Sequence, residues 1–272
     1  MAATIDRDRA VRAERAEAAA WADMYAAAPA LFGATVERLE GATVLTAPAI
    51  PMALFNRVIG LGLDGPVDPA DVAAIVHHYA VARVAKYFVH VGPASDPGLA
   101  PLLESQGFVP GTPPRWAKMV YGGASPPHRT DLTVRAVDAA AAEPVTAAMA
   151  VAHNMPPQMA VWIGTLVGRP QWQVFGAFDG GRAVGGGAMW CNGESAWLGI
   201  AGTIPEARGR GGQGAVLRAR IEAARALGAS LITTETWIPA PGGHNSSLAN
   251  MERAGFIDVG PRANYEHPTP LP

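Results

Sequence analysis

The spacing of apolar and polar residues divides the chain into short β-prone runs and longer helical ones, in two episodes. Residues 5–28 are rich in Ala, Arg and Glu and contain neither Pro nor Gly, which predicts a helix anchored through Trp21 and Tyr25, four positions apart. Thr35–Glu40 and Ala42–Thr46 are β-prone around Gly41 and predict a hairpin. Arg57–Leu63 reads as a strand, and Asp68 as the cap of a helix running from Pro69 to about Val84. A strand at Tyr87–Val91, a short helix at Gly98–Gln106 ended by Gly107, and a strand at Trp116–Tyr121 close the first episode. Gly122–Arg129, with its glycines, prolines and serine, reads as a linker.

The second episode opens with a strand at Thr130–Ala136, a helix from Asp138 to about Ala152 and a helix after Pro157. Gln171–Phe178 and Ala183–Trp190 flank Asp179-Gly-Gly181, a hairpin signal. An apolar run at Trp197–Ile204 follows. A helix from Gly214 to Leu227 then places Leu217, Ile221, Ala224 and Leu227 on one face and Arg218, Glu222 and Arg225 on the other. Ser230–Trp237 is a strand, Ser246–Ala254 a short helix stopped by Gly255, and Phe256 begins a further strand. Both episodes run strand, loop, helix, strand, short helix and Gly-Phe (Gly107-Phe108, Gly255-Phe256), which suggests a duplication. The expectation is an α/β protein of two domains, 1–125 and 130–272.

The two copies differ in the loop before the long helix. The second reads Thr203-Ile-Pro-Glu-Ala-Arg208-Gly-Arg210-Gly-Gly-Gln-Gly214. Glycines let backbone approach a ligand closely, arginines suit phosphate, and a helix start presents unpaired N–H groups. Strand, Gly/Arg loop and helix together describe an anion cradle. The first copy has Leu63-Asp-Gly-Pro-Val-Asp-Pro-Ala-Asp71, with three acids and two prolines that lack an N–H. That loop should repel a pyrophosphate.

Composition narrows the picture. The chain has 272 residues, 49% hydrophobic, with 21 Lys and Arg against 23 Asp and Glu for a net charge of −2. No basic stripe marks a nucleic-acid binder. Cys191 is the single cysteine, so an internal disulfide is excluded, and one thiol does not make a zinc site; no metal is expected. Met1–Arg15 lacks the pattern of a secretion signal, and Gly41–Asn56 is too short and too broken by Pro48 and Pro51 to span a bilayer. A soluble, cytoplasmic protein is expected, monomeric or homodimeric.

With the motifs in place, the second half resembles the GNAT superfamily of acyl-CoA-dependent N-acetyltransferases. The loop Arg208-Gly-Arg-Gly211-Gly-Gln213 is similar to the family's Arg/Gln-x-x-Gly-x-Gly/Ala signature, approached through Pro205. Ser247-Leu-Ala-Asn250-Met-Glu-Arg-Ala-Gly255-Phe256 resembles its second motif. The first half follows in element order only, as in a tandem member with a degenerate N-terminal copy. A nucleotide P-loop is excluded because no Gly-Lys-Ser/Thr follows, and a dinucleotide fingerprint would follow the first strand of its domain.

The resemblance implies acetyl-CoA as cofactor. Backbone at Ala201, Gly202 and Thr203 would pair with the pantetheine arm. Backbone N–H groups of Arg208, Gly209, Arg210, Gly211, Gly212, Gln213 and Gly214 would hold the pyrophosphate, and Ser247 and Asn250 would face the cofactor's other side. It also implies acetyl transfer straight to a primary amine of a small molecule or amino acid derivative. Two departures stand out. Gln213 replaces the usual Gly or Ala, and Met251 occupies the place of a Tyr that protonates the leaving thiolate in many members.

The chemistry needs a base and a proton donor. Glu235, in Thr233-Thr-Glu-Thr-Trp237, is an acid in an apolar and hydroxyl-rich strand, costly to bury unless paired or functional. It reads either as the base or amine ligand, or as half of a structural ion pair. Tyr265 is the candidate substitute for the missing Tyr, with a core aromatic as the plain alternative. His153 and His244 fall in loops on the expected acceptor side, and each reads first as a surface or satisfied loop histidine. The competing function is a non-catalytic acyl-CoA sensor or interaction module.

Overall fold

A computed structural model describes residues 6–123 and 129–268. The linker expected at 122–129 falls largely on residues 124–128, outside the described residues. The chain forms two compact units. The first comprises residues 1–118, 236–243 and 258–272, the second 119–235 and 244–257. Residues 236–243 and 258–272, expected with the second domain, therefore lie in the first unit. The reason is a strand partner, described next, that no local signal announces.

The first unit contains α1 (Arg7–Ala26), β1 (Thr35–Leu39), β2 (Ala42–Thr46), β3 (Arg57–Ile59), α2 (Pro69–Val81), β4 (Phe88–Val91), α3 (Leu99–Ser105) and most of β5 (Val109–Tyr121). Asp68 and Asp71 form a reciprocal capping box that starts α2 where the sequence places it. Strands run β1-β2-β3-β4-β11-β5, where β11 (Phe256–Glu266) comes from the far end of the chain. It pairs antiparallel to β4 through Ala263↔Val91 and Tyr265↔Val89. Strand β5 starts seven residues before the predicted Trp116, despite Pro110, Pro113 and Pro114. Its neighbours use side chains and carbonyls where proline has no N–H: Asn264 Nδ2 donates to Pro113 O at 2.6 Å, and Thr112 N donates to Glu266 Oε1 at 3.0 Å.

Helix α1 buries two acids, which its Ala/Arg/Glu pattern does not reveal. Glu14 and Glu17 lie at about 1% and 0% exposure with Arg57, Lys118 and Arg262. Glu17 accepts from Arg262 and Lys118 and pairs with Arg57 at 3.2 Å, while Arg262 reaches Glu14 at 3.1 Å. Burial opposes ionisation of Glu17, but these three cations win and hold its pKa well below the usual carboxylate range. His90 sits beside them, with Nδ1 2.9 Å from Asn264 Oδ1. Burial and the two arginines push its pKa well down, so it is neutral. The acids of the Leu63–Asp71 loop are also engaged, Asp64 with Arg15 at 2.6 Å and Asp68 and Asp71 in the α2 cap.

The second unit contains β6 (Thr133–Ala136), α4 (Ala142–Ala152), α5 (Pro157–Gly164), β7 (Trp172–Asp179), β8 (Arg182–Cys191), β9 (Ser195–Thr203), α6 (Gly212–Ala226), β10 (Leu231–Trp237, through Glu235) and α7 (Ser246–Arg253). Its strands run β10-β9-β8-β7-β6. Successive positions of β8 fix the two faces. A Cβ built at Gly186 would meet Val145 and Met149 of α4, and one at Gly187 would meet Arg220 of α6. Helices α4 and α6 therefore cover opposite faces. Leu217, Ile221 and Ala224 of α6 are buried as predicted, but Leu227 caps the helix and is 48% exposed. Arg220 is buried in its stead.

The suggested duplication has a structural counterpart. Each unit has a parallel pair around a crossover helix, Arg57↔Phe88 in the first and Trp197↔Thr233 in the second. Each short helix ends on a left-handed glycine, Gly107 (φ +89°) and Gly255 (φ +91°).

Candidate active site

The site grows from a break in the ladder. Strands β9 and β10 pair in parallel at Ser195↔Leu231, Ala196↔Ile232 and Trp197↔Thr233. Both strands continue past that point, but the register stops there. On its other edge β9 slips against β8: Gly186 pairs with Gly202, yet Ala188 pairs with Gly199. Strand β9 therefore carries one extra residue, a bulge, and Ile200 within it has φ +51°. That value is rare for a β-branched residue. Past Trp197 and Thr233 the β9–β10 ladder ends, with Thr234 Oγ1 still donating to Leu198 O at 2.8 Å, and leaves backbone at 199–203 beside an opening.

The Gly/Arg loop sits at the end of the same strand. Arg208 continues from a short turn at Pro205–Ala207, and Gly211 takes φ +81° as the N-cap of α6. No side chain caps that helix start. The N–H groups of its first turn, Gly212 to Gly214, have no partner within the helix. A Cβ at Gly209 would meet nothing within 4 Å, so the approach is open. These backbone donors fit a pyrophosphate.

The arginine side chains do not point that way. Arg210 holds Asp131 Oδ2 at 2.6 Å and Asp179 at 2.5 Å. These hydrogen bonds raise the arginine's pKa and lower those of both acids. Arg208 folds back, donating to Thr203 O at 3.2 Å and Ala152 O at 3.4 Å. Both guanidinium groups are thus engaged within the protein. The guanidinium groups brace the loop, and the backbone presents the donors. Sequence distance hid the cause, since Asp131 and Asp179 are 79 and 31 positions from Arg210.

Gln213, Ser247 and Asn250 come together. Gln213 Nε2 donates to Ser247 Oγ at 2.7 Å, and Asn250 Nδ2 donates to Gln213 Oε1 at 2.5 Å. Gln213 clasps α6 to α7, whose own residues include none that is fully buried.

Glu235 lies on the opening, half-buried, and accepts from Trp197 Nε1 at 2.8 Å. Register places Trp197 opposite Trp190, three positions from Gly187, so both belong to the α4 face. Glu235 shares that face, two residues beyond Thr233. His153, on the residue after α4, also reaches it. Its Nε2 would lie 3.1 Å from a Cβ at Gly202. The residue is open to solvent, yet crowding of its ring lowers the pKa; a hydrogen bond to Ala201 opposes this shift and Arg208 adds to it. The sequence puts His153 in a loop on the expected acceptor side, and the structure places it beside Gly202 of the bulged strand.

Tyr265 belongs to the first unit's core, with Tyr79 and Tyr87, and its hydroxyl donates to Glu104 Oε1 at 2.9 Å. Burial and that carboxylate raise its pKa. Of the two readings of Tyr265, this is the core aromatic. Cys191 is buried and free. No cluster of three or more His, Cys, Asp or Glu suited to a metal ion occurs among the described residues. None of the described helices is long and apolar enough to cross a membrane.

No protein-family model matches the chain, and no curated protein matches it. Solved structures do. A GCN5-related N-acetyltransferase from Kribbella flavida is 18% identical, with 96% of each chain covered and a TM-score of 0.65. Another from Sphaerobacter thermophilus is 18% identical over 83% of this chain and 79% of its own, with a TM-score of 0.57. A tandem GNAT protein from the clavulanic acid biosynthesis pathway is 16% identical over 84% and 79%, also at 0.57. Likeness at such low identity is a likeness of backbone. A mixed sheet split at a bulged strand, a glycine turn opening a helix and two units built on one element order together give the chain the fold of the GCN5-related N-acetyltransferases in its tandem form.

Proposed function

We propose that the second unit binds acetyl-CoA and transfers its acetyl group directly to a primary amine of a small molecule. The observation that carries this reading is the opening between β9 and β10 beside an uncapped glycine turn. Backbone of Ala201, Gly202 and Thr203 would pair with the pantetheine arm. Backbone N–H groups from Gly209 to Gly214 would hold the pyrophosphate, and the Gln213–Ser247–Asn250 clasp would wall the far side. The cofactor supplies an activated acyl group as a thioester.

The chain's residues handle protons and charge. An amine must be neutral to attack, so a base must take its proton. Glu235 lies on the α4 face of the opening with its carboxylate aimed by the Trp197 indole. His153, neutral by its lowered pKa, sits on the same face. Glu235 accepts the amine proton in this reading.

Calorimetry with CoA tests binding, and an amine library with free-thiol detection tests transfer. CoA binding together with thiol release on one class of amine is the expected result. No CoA binding at millimolar concentration refutes the proposal. One observation favours a second reading, a non-catalytic acyl-CoA sensor: Met251 cannot donate a proton, and Tyr265 is engaged with Glu104 in the first unit's core. Tight CoA binding with no amine accepted would support that reading.

A further inference from the structure

Arg220 is 2% exposed, on the inner face of α6. A buried guanidinium is costly unless paired, and its hydrogen bonds go to carbonyls instead of a carboxylate. Nη1 donates to Ala188 O at 3.0 Å and to Gly199 O at 3.1 Å, and Nε to Val216 O at 3.4 Å. Ala188 and Gly199 are the pair at which the β8–β9 register slips. A slipped ladder withdraws donors from carbonyls, and the guanidinium replaces them. Gly187 makes this possible, because a Cβ there would lie 2.9 Å from Arg220 Cζ.

The bulge has a second consequence. In a trans peptide the C=O and the following N–H point in opposite directions. The Gly199 carbonyl points to Arg220 and α6. The Ile200 N–H on the same peptide is therefore turned to the α4 face, where Trp197 and Glu235 lie. Ile200 keeps φ +51°, and such strain persists only where the surroundings hold it.

We propose that Arg220 is a positioning residue that locks and polarises the Gly199–Ile200 peptide, so that the Ile200 N–H donates to the thioester oxygen as negative charge develops on it. The inference rests on the acetyl-CoA reading of the site. Donation from the guanidinium into the carbonyl strengthens the N–H on the other side, because hydrogen bonds in a chain polarise one another. Burial pushes the Arg220 pKa down to about 9, which still leaves it charged at neutral pH.

The test uses the full chain and acetyl-CoA labelled with 13C at the thioester carbonyl. Infrared spectra report the carbonyl stretch, and calorimetry reports affinity for CoA. In the parent protein the stretch should shift to lower wavenumber on binding. Arg220→Met should lose at least half of that shift and change CoA affinity less than about threefold, because the pyrophosphate is held at Gly209–Gly214. Arg220→Lys should recover part of the shift. Gly187→Ala, which keeps the arginine but presses on it, should reduce the shift and carries the test if Arg220→Met does not fold. A full shift in Arg220→Met, or in Gly187→Ala where that variant carries the test, overturns the role of Arg220 alone. CoA affinity lost in step with the shift makes Arg220 merely structural and also overturns it. A parent protein that does not bind acetyl-CoA overturns the functional reading and this inference together.

Discussion

Replacing Gln213 by alanine should loosen α7 without unfolding the chain. Helix α7 has no fully buried residue, and the Gln213 amide ties it to α6 through bonds to Ser247 Oγ and Asn250 Nδ2. Each hydrogen bond contributes a net of about 0.5–1.5 kcal/mol, and water can reach this half-buried pair, so the loss should be about 1–2 kcal/mol. It should fall locally, since elements with few buried contacts open without the rest of the domain. A loss of about 1.4 kcal/mol is tenfold in an opening constant. Native-state hydrogen exchange should show amides 248–253 exchanging about tenfold faster, with amides of α4 and β8 unchanged. CoA affinity should fall in parallel, because Ser247 and Asn250 would lose their fixed orientation. Unchanged exchange in α7 would refute the clasp. Faster exchange everywhere would show that Gln213 supports the whole unit.

Three further outcomes are expected. Asp131→Asn combined with Asp179→Asn should weaken CoA binding if Arg210 is a brace; tighter binding, from an arginine set free to meet phosphate, would refute that role. Glu235→Gln can still accept from the Trp197 indole, so turnover on an identified amine should fall at least tenfold with CoA affinity intact, and full activity would return Glu235 to a structural role. His90 has a pKa below its unfolded value, so the unfolded chain binds its proton first as pH drops. Its contribution is therefore constant above the unfolded pKa of about 6.5 and erodes stability as pH falls through it, by at most about 1.4 kcal/mol per pH unit. Denaturation at pH 7.5 and 5.5 should show a shallower loss in His90→Gln, and equal losses in both proteins would exclude His90 as the source.

What local pattern encodes, the sequence determined by itself. The Asp68–Pro69 helix start, the Gly41 and Asp179-Gly-Gly181 hairpins, the glycine turn before α6 and the left-handed Gly107 and Gly255 stops all lie where residue chemistry puts them. These depend on neighbours within a few positions. The likeness between the halves was legible for the same reason, because element order is a local property repeated. Tertiary structure decided everything that needed a distant partner. It enlisted β11 between β4 and β5, engaged Arg208 and Arg210 as braces, sent Tyr265 to the first unit's core and brought His153 to Gly202. It also buried Arg220 against two carbonyls, where helical periodicity gives no warning of a charged residue on an apolar face. A side chain's role depends on which groups satisfy it, and those groups lie tens of positions away. The backbone turn at Gly209–Gly214 survived from sequence to structure because glycine's freedom is a property of the residue itself.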